Sequence, residues 1–159
     1  MSLFISYTDN VVSWIPRKNM PAIFLAGPTA REGQTLTWRK DALELLELAQ
    51  FDGVVYVPEY DPDKPNPTLS KKQVYEWENE ALGLSKKILF WIPRDIKNGI
   101  LGLTTNIEFG RYLFTVPEKC FYGRPISSDN NTYLDYCYFK QTNRKPHSTL
   151  TELIEEVLQ

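Results

Sequence analysis

From about residue 21 onward the sequence alternates between short apolar runs of strand length and longer segments in which apolar residues recur every three to four positions. The runs are Ala22 to Ala26 (AIFLA), Val54 to Val57 (VVYV) and Ile88 to Ile92 (ILFWI); the last is uninterrupted and suited to burial on both faces. Between the first two, Leu36, Ala42, Leu45, Leu46 and Ala49 mark a helix. Before the third, Val74, Trp77, Ala81 and Leu84 mark another, with Ser70 placed to cap it after the proline- and acid-rich loop 59–70. Strand-helix alternation of this kind needs crossover connections, which put helices on both faces of a parallel sheet.

Further along, a helix begins near Thr105, a shorter strand covers Cys120 to Tyr122, and Leu150, Leu153, Ile154, Val157 and Leu158 mark a terminal amphipathic helix behind a Ser148 or Thr149 cap. The run YLDYCYF, Tyr133 to Phe139, fits strand or helix by pattern and is read as helix. Residues 1–20 stand outside the alternation, and Trp14, Ile15 and Pro16 suggest an N-terminal extension packed on a single domain of residues 21–159.

Charge and cysteine usage narrow the function. Eighteen basic against twenty acidic residues leave a formal charge of -2, so no basic field for a nucleic acid polymer or an anionic membrane stands out. The N-terminus has no basic segment leading into an unbroken apolar stretch, and the expectation is a soluble, cytoplasmic protein. Cys120 and Cys137 lie far apart and His147 is the only histidine, which offers no zinc-ligand spacing and no metal site; the thiols read as free and reduced. No nucleophile elbow accompanies His147, so acid-base chemistry falls to carboxylates.

In an open parallel sheet the ligand sits beyond the carboxyl ends of the strands, which directs attention to GPTAR, PEYDPDKPN, PRDIKNGILGLTTN and GRPISSDNN. Within TTNIEFGRY, Glu108 falls in the first turn of its helix if Thr104, Thr105 or Asn106 is the cap. The free amides and dipole there favour an ionised carboxylate, although glutamate is also common in first turns for structural reasons alone. Gly110, just beyond, permits close approach of backbone or ligand. A second carboxylate is needed to break a glycosidic bond, and WENEAL offers Glu78 and Glu80 on opposite flanks of the apolar stripe; periodicity selects neither. Gly27, Pro28 and Thr29 form a turn whose amides suit a hydroxyl or phosphate, or an ordinary turn; it carries neither a P-loop lysine nor a dinucleotide fingerprint. Arg39 can bind an anion or orient a carboxylate. Asp61 and Asp63 can take sugar hydroxyls or stand as solvated loop acids.

The ordered set IFLAGPTARxxxxxxWR, VVYVPE, WENEALxxSKKILFWIPR, GLTTNIEFGRY and YGRP followed by YLD resembles the nucleoside 2-deoxyribosyltransferase family, especially its transferase-like branch, from Ile23 to about residue 158. The resemblance implies an α/β, flavodoxin-like three-layer sandwich with a mostly parallel sheet of order 2-1-3-4-5. It also implies no cofactor, a small nucleoside or nucleotide substrate, and a homodimer or larger homo-oligomer in which a neighbour helps close each site. In that family the glutamate matching Glu108 attacks the anomeric carbon and forms a glycosyl ester, with its acid-base partner on the preceding helix, where Glu78 is favoured and Glu80 kept. The chain departs from the family at Gly102, where characterised transferases carry an acid and related 5'-monophosphate N-glycosidases a serine. The expected activity is therefore cleavage or transfer at an N-glycosidic bond, with a non-catalytic nucleotide-binding or sensing module of the same fold as the alternative. A flavin carrier or receiver domain is a weaker third reading.

Overall fold

A computed structural model describes residues 3–9, 20–30, 37–61, 63–65 and 68–159. The strands are β1 (Leu3–Ile5), β2 (Ala22–Ala26), β3 (Val54–Tyr56), β4 (Lys87–Trp91) and β5 (Cys120–Gly123). The helices are α1 (Trp38–Leu48), α2 (Lys71–Leu84), α3 (Leu103–Thr115), α4 (Thr132–Thr142) and α5 (Leu150–Leu158). The five strands form one parallel sheet in the order β1-β3-β2-β4-β5. The apolar runs give β2 to β5 the expected relative order. The fifth strand lies at the opposite edge from the one expected: Leu3–Ile5 adds beyond β3, pairing Leu3 with Val54 and Ile5 with Tyr56.

The period-two alternation of the strands builds two cores. Ala22, Phe24, Ala26, Tyr56, Ile88, Phe90 and Tyr122 face Trp77, Ala81, Leu82, Phe109, Leu113 and Tyr138 of α2, α3 and α4. Ile23, Leu25, Val55, Leu89, Trp91 and Phe121 face α1 and α5 through Trp38, Ala42, Leu46, Leu153, Ile154 and Val157. Burying residues on both faces explains why the runs read as continuous apolar stretches. Tyr133 to Phe139 is helical, and both the Ser70 and Thr149 caps form, the former as a capping box with Gln73. Leu36 and the Trp14–Ile15–Pro16 stretch lie outside the described residues. Among the described residues no helix is long and apolar enough to cross a membrane.

The start of α3 departs from expectation. Gly102, at φ 63°, turns the chain into the helix ahead of the threonines, and no side chain caps it. Thr104, Thr105 and Asn106 therefore lie inside the helix, and Glu108 sits in its second turn, away from the free amides.

Candidate active site

The chain reverses direction across the sheet between β2 and β4, where a ligand crevice is expected at the carboxyl ends. A cavity of about 360 Å3 opens there, a size at the lower end of the range for small-molecule sites. Its walls come from the turn after β2 (Gly27 to Ala30), Pro58 after β3, Tyr75 and Glu78 of α2, the loop from Gly99 to Gly102, and Leu103, Thr104, Thr105 and Glu108 of α3.

Gly27 is glycine for steric reasons. A Cβ there would lie 2.2 Å from the Trp91 carbonyl oxygen and 2.6 Å from the Trp38 ring. The turn it starts is held by Arg39, which is 2% exposed. Arg39 Nε donates to the Leu25 carbonyl (3.1 Å), Nη2 to that of Gly27 (2.7 Å), and Nη1 to Thr29 Oγ1 (3.0 Å) and Glu59 Oε1 (2.6 Å). Trp38 Nε1 adds a bond to the Pro28 carbonyl at 3.0 Å. Of the two readings left open for Arg39, the geometry brings out the organising one. Its donors are spent on the turn and on Glu59, and its charge still reaches both cavity carboxylates.

Arg94 does the same for the opposite wall. Its Nε donates to the Leu101 carbonyl (2.8 Å), Nη1 to that of Asn130 (2.7 Å) and Nη2 to Asn106 Oδ1 (2.5 Å), which pins the 95–102 loop and the start of α3 together. Asn106 therefore braces the wall from behind and does not line the cavity.

Glu78 and Glu108 face this cavity from α2 and α3. Among the described residues neither forms an ion pair. Burial is the main cause that pushes the Glu108 carboxyl up to about 8; the neighbouring Glu78 charge adds to it, and Arg39 and Arg111 oppose it. Glu78 is likewise raised by burial, against the Tyr7 hydrogen bond and Arg39. This corrects the expectation of a carboxylate held ionised at a helix start, because two acids share one water-poor space and Glu108 stands clear of the helix end.

The other expected residues divide cleanly. Gly27, Pro28, Thr29, Thr104 and Thr105 line the cavity. Glu80 is exposed on the far flank of α2, where its charge bears on Tyr56. Asp61 and Asp63 form a surface turn, Asp61 accepting from the Asp63 amide at 3.0 Å and meeting Lys64 Nζ at 3.4 Å. A Cβ on Gly110 would meet nothing within 4 Å, so no close approach explains that glycine. Sequence reasoning missed Glu59, although its loop was singled out, and Tyr7, whose hydroxyl donates to Glu78 Oε1. Glu59 follows Pro58 directly after β3, where a partner for Arg39 is expected; nothing local marks Tyr7.

Residues 20–120 match the family model described as nucleoside 2-deoxyribosyltransferase like, a span that contains every cavity-lining residue. No curated protein gives a significant match to the chain.

Proposed function

The chain belongs to the nucleoside 2-deoxyribosyltransferase-like family, and from that premise we propose that it cleaves or transfers at the N-glycosidic bond of a nucleoside or nucleotide through a covalent glycosyl-glutamate intermediate. The observation that carries this reading is the placement of two carboxylates, Glu78 and Glu108, neither in a salt bridge among the described residues, on one cavity at the carboxyl ends of the sheet.

In the first step a Glu108 carboxylate oxygen attacks C1' of the sugar, and the C1'–N bond breaks with its electron pair passing to the base nitrogen, which takes a proton from Glu78. In the second step water or another base attacks C1' while the Glu78 carboxylate accepts its proton, and the ester releases Glu108. The free protein favours the proton on Glu108, whereas the reaction needs it on Glu78. One proton shared by two carboxylates supplies both states, and positive charge growing at C1' favours the productive one. The Gly27 to Thr29 turn and the Thr104–Thr105 pair supply donors for sugar hydroxyls. Arg39 acts through the turn it holds.

Incubation with a 2'-fluoro arabinosyl nucleoside, followed by intact-mass measurement, should show a glycosyl adduct that Glu108→Ala abolishes. Absence of any adduct, with tight reversible binding of one nucleoside or nucleotide, selects the sensing module instead. A panel of nucleosides and 5'-monophosphates assayed for free base separates hydrolysis from transfer and fixes the phosphate requirement.

The same reading includes a homo-oligomer. Leu103, Ile107 and Phe114 are 63%, 73% and 59% exposed and fall within about 40° of one another around α3, with Gly110 on the same stripe. Leu103 is also a cavity residue, so a neighbour seated on this stripe closes the mouth of the site. Ile107→Glu should shift the species seen by size-exclusion chromatography with light scattering toward monomer; an unchanged mass removes this face as the contact.

A further inference from the structure

Every residue that lines the cavity falls within residues 20–120, yet the hydroxyl bonded to Glu78 comes from outside that span. We propose that Tyr7, delivered by the edge strand β1, is a positioning residue that fixes Glu78 as the acid-base group of this site. The inference rests on the role given to Glu78 above.

Tyr7 is held from three sides. Its backbone follows β1, whose Ile5 carbonyl accepts from Val57 N (2.8 Å), and Tyr7 N itself donates to the Glu59 carbonyl (3.0 Å). Its ring packs edge-on against Trp77 (5.0 Å between centroids, 81°) and Tyr60 (5.3 Å, 69°). The chain beyond it is tied back onto α2 and the 59–65 loop: Trp77 Nε1 donates to the Asp9 carbonyl (3.0 Å), Asp9 Oδ2 accepts from Ser6 N (2.9 Å), and Lys64 Nζ meets Asp9 Oδ1 (3.0 Å). A phenol fixed this way donates to Glu78 Oε1 without itself lining the cavity that Glu78 faces.

The charged groups around the phenol are Glu78, Glu108 and Arg39. Burial and the two acids keep it protonated well above the usual tyrosine range, so it donates throughout and never acts as a base. Its bond favours the charged form of Glu78, the form that develops as the proton passes to the departing base in the first step.

Tyr7→Phe keeps the ring packing and removes only the hydroxyl. With a purine nucleoside, whose base must be protonated to leave, kcat/KM, which reports the first step, should fall about tenfold to a hundredfold, the cost of one hydrogen bond to a charged group. With a 7-methylguanine nucleoside, whose cationic base leaves neutral without a proton, the loss should be less than about twofold. On a Glu78→Gln background the same change should add less than about twofold. Equal losses on both substrates, full additivity with Glu78→Gln, or no loss at all overturns the proposal.

A readout independent of turnover separates this proposal from the function it rests on. In a carboxyl carbon NMR titration, with Glu78 assigned by its loss in Glu78→Gln, the Glu78 midpoint should rise in Tyr7→Phe; an unmoved midpoint overturns the inference even in an active enzyme. Loss of the Glu108 adduct in the unmodified protein, with the midpoint still moved, overturns the catalytic reading alone.

Discussion

Two regions of this molecule spend their acidic side chains in opposite ways. Along the β5 edge two acids are matched: Asp135 meets Arg124 Nη2 at 2.6 Å, and Glu156 meets both Arg144 Nη1 (3.0 Å) and His147 Nε2 (2.8 Å). At the carboxyl ends of β2 and β4, Glu78 and Glu108 face one cavity without a salt bridge among the described residues, while Arg39, whose charge reaches both, is committed to Glu59 and the turn carbonyls. Where the acids are matched they join α4 and α5 to the sheet. Where they are unmatched, burial and mutual repulsion lift Glu108 to about 8, a state useful for moving a proton near neutrality and costly for folding.

The largest test of this contrast removes Glu108, the acid proposed as the nucleophile. Glu108→Ala should lower kcat by about a thousandfold or more and abolish adduct formation, as loss of a covalent nucleophile does; retention of more than a tenth of the activity breaks the contrast. Glu78→Gln comes next, with a loss in kcat/KM of about a hundredfold to ten-thousandfold on ordinary nucleosides and little loss in kcat/KM on a 7-methylguanine nucleoside. The pH profile sharpens it. The active free enzyme carries one proton on the carboxylate pair, so kcat/KM for an ordinary nucleoside should fall above about pH 8 as that proton is lost. In Glu78→Gln with the 7-methyl substrate only ionisation of Glu108 is needed, so the profile should rise with pH, its midpoint below 8 because the Glu78 charge that raised it is gone.

The contrast also marks how far the sequence could be read. The matched strands and helices were legible because burial on both faces leaves continuous runs such as ILFWI, and α2 announced its cap at Ser70. The cavity was legible in outline, since GPT, WENEAL and TTNIEFG all reach it. Glu78 and Glu80 flank the same stripe, and only the tilt of α2 over the carboxyl end of the sheet decides which faces the cavity. Tyr7 lies 71 positions from Glu78 along the chain, just beyond a three-residue strand too short to show a period. The left-handed turn at Gly102 is a tertiary choice too: a Cβ there would come within 2.9 Å of Pro28, so the loop is shaped by the turn it packs on.

Stability should divide the two regions as activity does. Glu108 binds its proton more tightly in the folded protein than in the unfolded chain. Below the ordinary carboxyl value, near 4.5, both states are protonated and the group is neutral in effect; as pH rises from there to about 8 the unfolded chain ionises first and stability is lost, after which the loss is constant. Glu108→Gln cannot ionise, so its melting temperature should match the unmodified protein near pH 4 and exceed it on the order of 10 °C at pH 9, at roughly 2–4 °C per kcal/mol. A gain that is equal at both pH values assigns the effect to packing and breaks the comparison.

The smallest effect belongs to the matched side. Arg124 grips Asp135 with Nε at 3.0 Å and Nη2 at 2.6 Å, and the same carboxylate accepts from the buried Tyr122 hydroxyl at 3.0 Å. Arg124→Ala leaves that half-buried carboxylate with one donor and a charge no longer balanced, which should cost about 1–2 kcal/mol, or roughly 2–4 °C in melting temperature, with kcat unchanged. Thermal melts of Arg124→Ala beside Arg124→Met check this: full recovery in Arg124→Met, which restores the aliphatic stem without the charge, means that Arg124 contributes packing, and the β5 edge is then held by shape, not by matched charge.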